Sequence, residues 1–236
     1  MKAPTLPFTH RHMIRWLLPI ALFASAQSLA VAADPAPDGS GSAVTINGIR
    51  NFNIDGSTQI RLDGQPIPFA QLAEIGAGYN ALVDAQNANP GLTEGDAVQI
   101  DLRNLVRGPV TAISPLSVLD QPITVNGETV LVDIPGNDLA NVVVGDLLEV
   151  SGYLDPNNSI VAARIGWRTD PTSDWKISGY VAGLVDNSFS IGSQVIDFTG
   201  ATPLRCGAGM SNGDFVEVET LPNAGYAAGA VLSQNF

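Results

Sequence analysis

The sequence predicts an all-β chain built from small barrel modules, and three observations carry that expectation. Glycine and proline together are frequent (24 and 16 of 236 residues), while hydrophobic residues reach 45% and aromatic residues only 6%. That balance is too apolar for a disordered chain and too heavily punctuated for a helical bundle. Alternating apolar and polar residues recur in short runs bounded by turn residues. Those runs repeat along the chain with a spacing close to 65 residues.

The first segment carries no module. Met1 to about Ala33 predicts a removable export signal, with Lys2, Arg11 and Arg15 ahead of the apolar run Trp16–Ala24. Small residues offer cleavage points after Ala30 or Ala33. Pro19 and Gln27 interrupt the apolar stretch, which is short for a membrane span of ~20 residues. Met13 is an alternative start that keeps Arg15. No cysteine stands near the cleavage points and Arg11 is followed by His12, so neither a lipoprotein nor a twin-arginine signal is expected. The expected location is periplasmic or extracellular.

Signal removal decides the chemistry. Three basic residues leave and no acidic ones, which takes the net charge from −12 to −15. His10 and His12, the only histidines, leave too, and Lys176 is the one lysine that stays. A chain without imidazole cannot run Ser-His-Asp or Cys-His catalysis. Zinc, iron and copper lose their commonest ligand, so no metal and no cofactor is expected. Neither a phosphate-binding G-x-x-x-x-G-K-[ST] loop nor a dinucleotide fingerprint occurs. The acidic charge also repels phosphate backbones and anionic lipid, so nucleic acid is not an expected partner.

Asp34–Ser42 is a polar tether. Alternation then predicts strands over Thr58–Leu62, Ile123–Val132, Asp146–Val150, Lys176–Leu184, Val195–Phe198 and Asp214–Val218, with short helical turns at Ala70–Ile75 and Asp138–Val142. Ile60–Gly64 aligns with Ile123–Gly127, each ending in a D-G or N-G hairpin signal. Leu72–Gly78 aligns with Leu139–Gly145, and Ala97–Ile100 with Ala162–Ile165. Gly108–Ile113 aligns with Gly179–Leu184, and Gly145–Val150 with Gly213–Val218. Gly95-Asp96 copies the Gly-Asp signature but falls at a return strand, so it is set aside. The modules are therefore expected at 43–104, 108–168 and 177–236, with Thr169–Asp174 as a short linker. At roughly 60 residues each core is marginal alone, so the modules should close into small OB-like barrels and pack together.

The central run, from Gly108-Pro109-Val110 through Gly145-Asp146-Leu147-Leu148-Glu149-Val150 to Ala162–Ile165, resembles an exported bacterial family of unknown function, domain-of-unknown-function family 5666. The resemblance is best over 108–168 and 177–236 and weaker over 43–104, where Gly78-Tyr79 replaces Gly-Asp. It implies tandem OB-like barrels in the cell envelope and carries no functional residue with it.

Several residues admit both a functional and a plainer reading. Asp146 with Glu149, and Asp214 with Glu217, suggest cation or sugar sites, but residues three apart on a strand face opposite ways, so turn aspartates and solvent-facing glutamates are expected. Asp155–Ser159 is oxygen-rich yet lacks the spaced ligands of a calcium loop. Carboxylate-pair glycan hydrolysis is the one enzyme class the composition allows readily, from Glu74, Glu94, Glu128, Glu149, Glu217 and Glu219. A serine–Lys176 dyad is set against an exposed edge-strand lysine, and the second is expected. Trp167, Trp175, Tyr153 and Tyr180 with Arg164 and Arg168 are expected at the junction of the last two modules, as packing or as a recognition face. Cys206 is a free thiol, expected buried. Gln234 breaks the alternation that a C-terminal outer-membrane strand ending at Phe236 requires. The sequence thus predicts an exported, non-enzymatic binding or scaffolding protein whose partner is an envelope protein or glycan, without stable membrane insertion. Alternatives are a glycan hydrolase and a small outer-membrane barrel.

Overall fold

The computed structural model describes residues 29–32, 42–46, 50–91, 93–170, 174–198, 209–220 and 231–235. The basic and apolar parts of the expected signal, Ala33, most of the tether, the middle of the linker and Cys206 lie outside the described residues. No helix among those described is long and apolar enough to cross a membrane.

The fold is mostly β, arranged as barrel and half-barrel sheets. The first segment contains β1 (Leu29–Ala32), β2 (Ser42–Ile46), β3 (Arg50–Ile54), β4 (Gln59–Leu62) and β5 (Gln65–Ile67). A 3-10 turn at Phe69–Gln71 runs into α1 (Leu72–Ile75), and β6 (Asn80–Gln86) and β7 (Glu94–Arg103) follow. The central segment contains β8 (Val106–Ile113), β9 (Leu116–Val118), β10 (Gln121–Thr124), β11 (Val130–Val132), β12 (Leu147–Leu154) and β13 (Ile160–Arg168). The third contains β14 (Trp175–Tyr180), β15 (Ala182–Val185), β16 (Ser188–Ile191), β17 (Gln194–Asp197), β18 (Phe215–Thr220) and β19 (Val231–Asn235). The two expected helical turns are present as α1 with its 3-10 lead and as a 3-10 turn at Leu139–Asn141.

The central sheet closes on itself. β8 pairs β9, β9 pairs β10, β10 runs parallel to β13, β13 pairs β12, and β12 returns to β8. β8 makes this possible by dividing its length: Val106–Pro109 pairs with β12 and Val110–Ile113 with β9. A parallel pair needs a crossover, which β11 and the helical turns supply. The first segment follows the same order, β1–β2–β3–β7–β6, with β3 parallel to β7, but among the described residues β6 does not meet β1, a strand that falls within the expected signal and outside the expected module 43–104. In the third segment β14 pairs β18, β18 pairs β19, and β15, β16 and β17 form a separate three-stranded meander. β14 also pairs β8, so one sheet runs from the central segment into the third.

Hydrogen bonds fix the repeat register. The β6–β7 and β12–β13 pairings carry the same irregularity, between Asp84/Ala85 of β6 and between Ser151/Gly152 of β12. It leaves Val98 of β7 and Ala163 of β13 as the extra residues and superposes Ala97–Ile100 on Ala162–Ile165 as the sequence predicts. The Gly-Asp turns are equivalent as well. Val110 N–H donates to Asp146 O and Gly145 N–H to Val110 O; Val181 N–H donates to Asp214 O and Gly213 N–H to Val181 O. Gly145 and Gly213 have φ of 98° and 91°, a region where a Cβ is unfavourable. Gly95-Asp96 lies inside β7, away from any such turn.

One alignment is corrected. Ile60–Gly64 is not the counterpart of Ile123–Gly127; Asn53–Ile60 is the counterpart of Thr124–Leu131. Asp55 N–H donates to Thr58 Oγ1 and Asn126 N–H to Thr129 Oγ1, while Thr58 Oγ1 donates to Ala97 O and Thr129 Oγ1 to Ala162 O. Asn126-Gly127 is therefore no hairpin, because β10 and β11 both run parallel to β13 and do not pair with each other. Asp63-Gly64 is one: Leu62 pairs with Gln65, and the two turn residues have φ of 50° and 79°.

The buried apolar residues form two cores. One spans the central and third segments, with Val106, Leu148 and Ile165 beside Ile177, Val216 and Val218. The other belongs to the first segment, around Phe52, Ile60, Leu72, Ile100 and Leu102. Between the two cores lies a layer of charge.

Candidate functional site at a buried charged junction

The junction follows from strand alternation. In the sheet that runs β13–β12–β8–β14–β18, Val106, Leu148, Val150, Ile165, Ile177, Val216 and Val218 point into the shared core. The intervening residues face the other way. Cross-strand pairing sets Arg168 against Leu147, Glu149 against Arg107, Arg107 against Lys176 and Lys176 against Glu219, so these residues share one face with Arg164 and Glu217. The first segment covers that face with its β4–β5 hairpin and the Gly78-Tyr79 turn.

Asp63, at the hairpin tip, is the node. Its Oδ1 accepts from Lys176 Nζ at 2.7 Å and from Asn104 N–H at 2.9 Å; its Oδ2 accepts from Arg107 Nη1 at 2.8 Å and Asn104 Nδ2 at 2.9 Å. Lys176 is fully buried and also contacts Glu217 Oε2. Burial alone would raise the Asp63 pKa, but the Lys176 ammonium and the Arg107 guanidinium outweigh it and hold the carboxyl below its usual value. Glu219, half-buried and beside Glu217, is shifted the opposite way, by burial first and by its carboxylate neighbour second. Burial also lowers Arg103, against the pull of Glu217, Asp101 and Asp63.

A second cluster adjoins it. Glu149 lies between Arg164, at 3.8 Å, and Arg168, at 3.4 Å. The Arg164 guanidinium stacks 4.7 Å from the centroid of the Tyr79 ring, whose hydroxyl pKa is raised chiefly by burial. Gly78 makes the approach possible: a Cβ there would stand 2.7 Å from Arg164 Cβ and 2.8 Å from Ala163 O. Gly78-Tyr79, the departure from Gly-Asp, is thus the place where the first segment meets β13. Asn80 N–H donating to Ser151 Oγ at 2.7 Å, and Ser151 Oγ donating to Arg103 O at 2.6 Å, continue the contact. A cavity of about 260 Å³ opens beside the junction, lined by Asp63, Arg107, Glu149, Arg168, Asp174 and Glu219 among others.

Several sequence expectations change here. Glu149 and Glu217 do not face solvent; both are 4% exposed and ion-paired, because the first segment covers their face. Lys176 is not an exposed edge lysine but a buried one, and the contacts of its ammonium are carboxylates, not a serine hydroxyl. Asp146 and Asp214 are turn residues as expected, accepting from Val143 N–H and Ser211 N–H. Asp155 accepts from Asn157 and Ser159 N–H in the β12–β13 hairpin. The six aromatic and cationic candidates do not form one face. Trp167 and Trp175 pack on the shared core, Arg164 and Arg168 flank Glu149, Tyr153 is half-buried on β12, and Tyr180 is exposed against Phe215. Sequence reasoning missed Asp63, Asn104 and Arg107.

Residues 107–166 and 178–229 match the model of a family described as a domain of unknown function, DUF5666. Both segments belong to that family. The match to DUF5666 covers the two segments that share a core and stops short of the first, whose hairpin supplies Asp63. In these segments the Gly-Asp turns at Gly145 and Gly213 and the aliphatic residues Val150, Ile165, Val216 and Val218 build the turns and the shared core. The charges of the junction lie on the opposite face of the same strands. No curated protein and no solved structure matches the chain.

Proposed function

We propose that this chain is an exported, non-enzymatic scaffolding or binding protein of the bacterial envelope or extracellular space, made of three OB-like modules held in one fixed arrangement. The barrel reading is supported by the ring order of the central segment, in which the third strand of the barrel runs parallel to the fifth and the fourth returns to the first. Export is supported by the basic start, the apolar run and the small residues of 1–33.

The observation that carries the scaffold reading is the Asp63 node. Its charged groups are used up on one another: one carboxylate from the first segment holds Arg107 of the second and Lys176 of the third. Such a cluster fixes orientation, because burying any one of these charges without its partner is costly. Small-angle scattering on the purified chain tests it. A single compact body supports the reading, and a profile of independently tumbling modules contradicts it. N-terminal sequencing of protein recovered outside the cytoplasm, starting at residue 31 or 34, tests export.

A second reading has one specific observation behind it. Glu219, with its raised pKa, and Glu149, ion-paired with arginines, line the same cavity, as an acid and a carboxylate would in glycan hydrolysis. Uniform inactivity on a polysaccharide panel ends that reading.

A further inference from the structure

The contact between Lys176 and Asp63 has the composition of a reaction centre as well as of an ion pair. A primary amine with no solvent exposure lies 2.7 Å from a carboxyl oxygen, and a second carboxylate, Glu217, touches the same nitrogen. The side chains of Asp63 and Glu217 are only 7% and 6% exposed. We propose that Lys176 Nζ and Asp63 Cγ become joined by a self-formed isopeptide bond, with Glu217 as the proton carrier, which locks the third segment covalently to the first.

The step balances without an external reagent. The ammonium and the carboxylate first exchange a proton, leaving a neutral amine and a carboxylic acid. The Nζ lone pair attacks Cγ, the C–N bond forms, and the π pair moves onto the carbonyl oxygen. Glu217 takes the second proton from Nζ and delivers it to the departing hydroxyl, the C–O bond breaks, and water leaves as the carbonyl re-forms. Ammonium plus carboxylate becomes amide plus water, with no change of oxidation state. Donors that hold Asp63 ionised at rest serve the transition state as well: Oδ1, nearest Nζ, takes the proton and departs, while Arg107 Nη1 and Asn104 Nδ2 converge on Oδ2, the oxygen that takes the negative charge. The carboxyl is held in place before the reaction, so attack needs little reorganisation. The product favours burial, since a neutral amide replaces a buried pair of opposite charges. Charge stays balanced, with Arg107 and Glu217 remaining. The adjoining cavity, which Asp63 lines, gives the released water a way out. The proposal stands whether or not the protein acts as a scaffold.

Mass spectrometry of the full chain after tryptic digestion decides it. Lys176 is the only lysine after residue 33, and trypsin does not cut after an acylated lysine. The expected product is a branched peptide of residues 62–103 joined to residues 169–205, lighter than the two free peptides by one water. In the Asp63→Asn variant the leaving group is ammonia, so the branched peptide has the same mass as in the wild type, a convergence that an ion pair cannot produce. Glu217→Gln removes the proton carrier and slows cross-linking about a hundredfold or more. Asp63→Ala gives no branched peptide and normal cleavage after Lys176. Complete tryptic cleavage after Lys176 in the wild-type chain, with both peptides at their free masses, overturns the proposal even if no variant folds.

Discussion

Lys176 Nζ lies 2.7 Å from Asp63 Oδ1, joining the first strand of the third segment to a hairpin tip 113 residues earlier. That contact exists because two elements of opposite character meet. A sheet face carrying alternating charge is covered by a turn whose positive φ favours aspartate and glycine. The first segment is thus tied to the rest by charge, and the second and third to each other by a shared apolar core.

Compared with the ion-paired chain before any cross-link forms, Lys176→Met keeps the length and apolar stem of the side chain but leaves Glu217 buried without its ammonium. Loss of one partner from a buried ion pair costs about 3–5 kcal/mol. Chemical denaturation should show a loss of that size, and a change below about 1 kcal/mol would mean that the lysine contributes little to the junction.

Gly78→Ala tests the close approach to β13. The backbone at Gly78 has φ of 94°, and the added Cβ would stand 2.8 Å from the Ala163 carbonyl oxygen, a backbone atom that cannot rotate away. Strain of this kind costs about 1–3 kcal/mol. A fall in thermal midpoint is expected, with the Tyr79–Arg164 contact disturbed; an unchanged midpoint would contradict the packing described.

In chain that has not cross-linked, where Asp63 and Lys176 remain an ion pair, acid should weaken the Asp63 node in a defined direction. Its folded pKa is depressed by Lys176 and Arg107 against the effect of burial. Its stabilisation is therefore fully present above the usual carboxylate value of 3.8 and lost as pH falls through the folded value. The stability gap between wild type and Asp63→Ala should be constant near neutrality and narrow in acid. A gap that widens with acidification would reverse the assignment.

Glu219 has the opposite sign. Its folded pKa is raised, so ionisation of this group at neutral pH opposes folding, and the favourable contribution is lost as pH rises through the folded value. Glu219→Gln should be more stable than wild type at neutral pH, and the two should converge at acid pH. Urea midpoints measured across that range check both ends.

Much of the repeat was legible in the sequence. The Gly-Asp turns and the return strands were found because each is a local pattern with a fixed backbone requirement. The first-segment register was not, since Asp55-Gly56 and Asp63-Gly64 both follow an apolar–polar–apolar run. Only the parallel pairing of β3 and β4 with β7 separates them, and that pairing is non-local. The burial of Glu149, Glu217 and Lys176 was hidden for a related reason. Alternation says which residues share a face, not whether solvent or another segment covers it.

The most direct test of the Asp63 node is urea unfolding of Asp63→Ala followed by two probes. Trp167 and Trp175 pack against the core of the second and third segments, so their fluorescence reports that core. Far-ultraviolet circular dichroism reports all the strands. In the wild type the two curves should coincide in one transition. In Asp63→Ala the dichroism should begin to fall at lower urea, as the first segment leaves, while the fluorescence transition follows later. Coincident curves at the wild-type midpoint in Asp63→Ala would contradict the account.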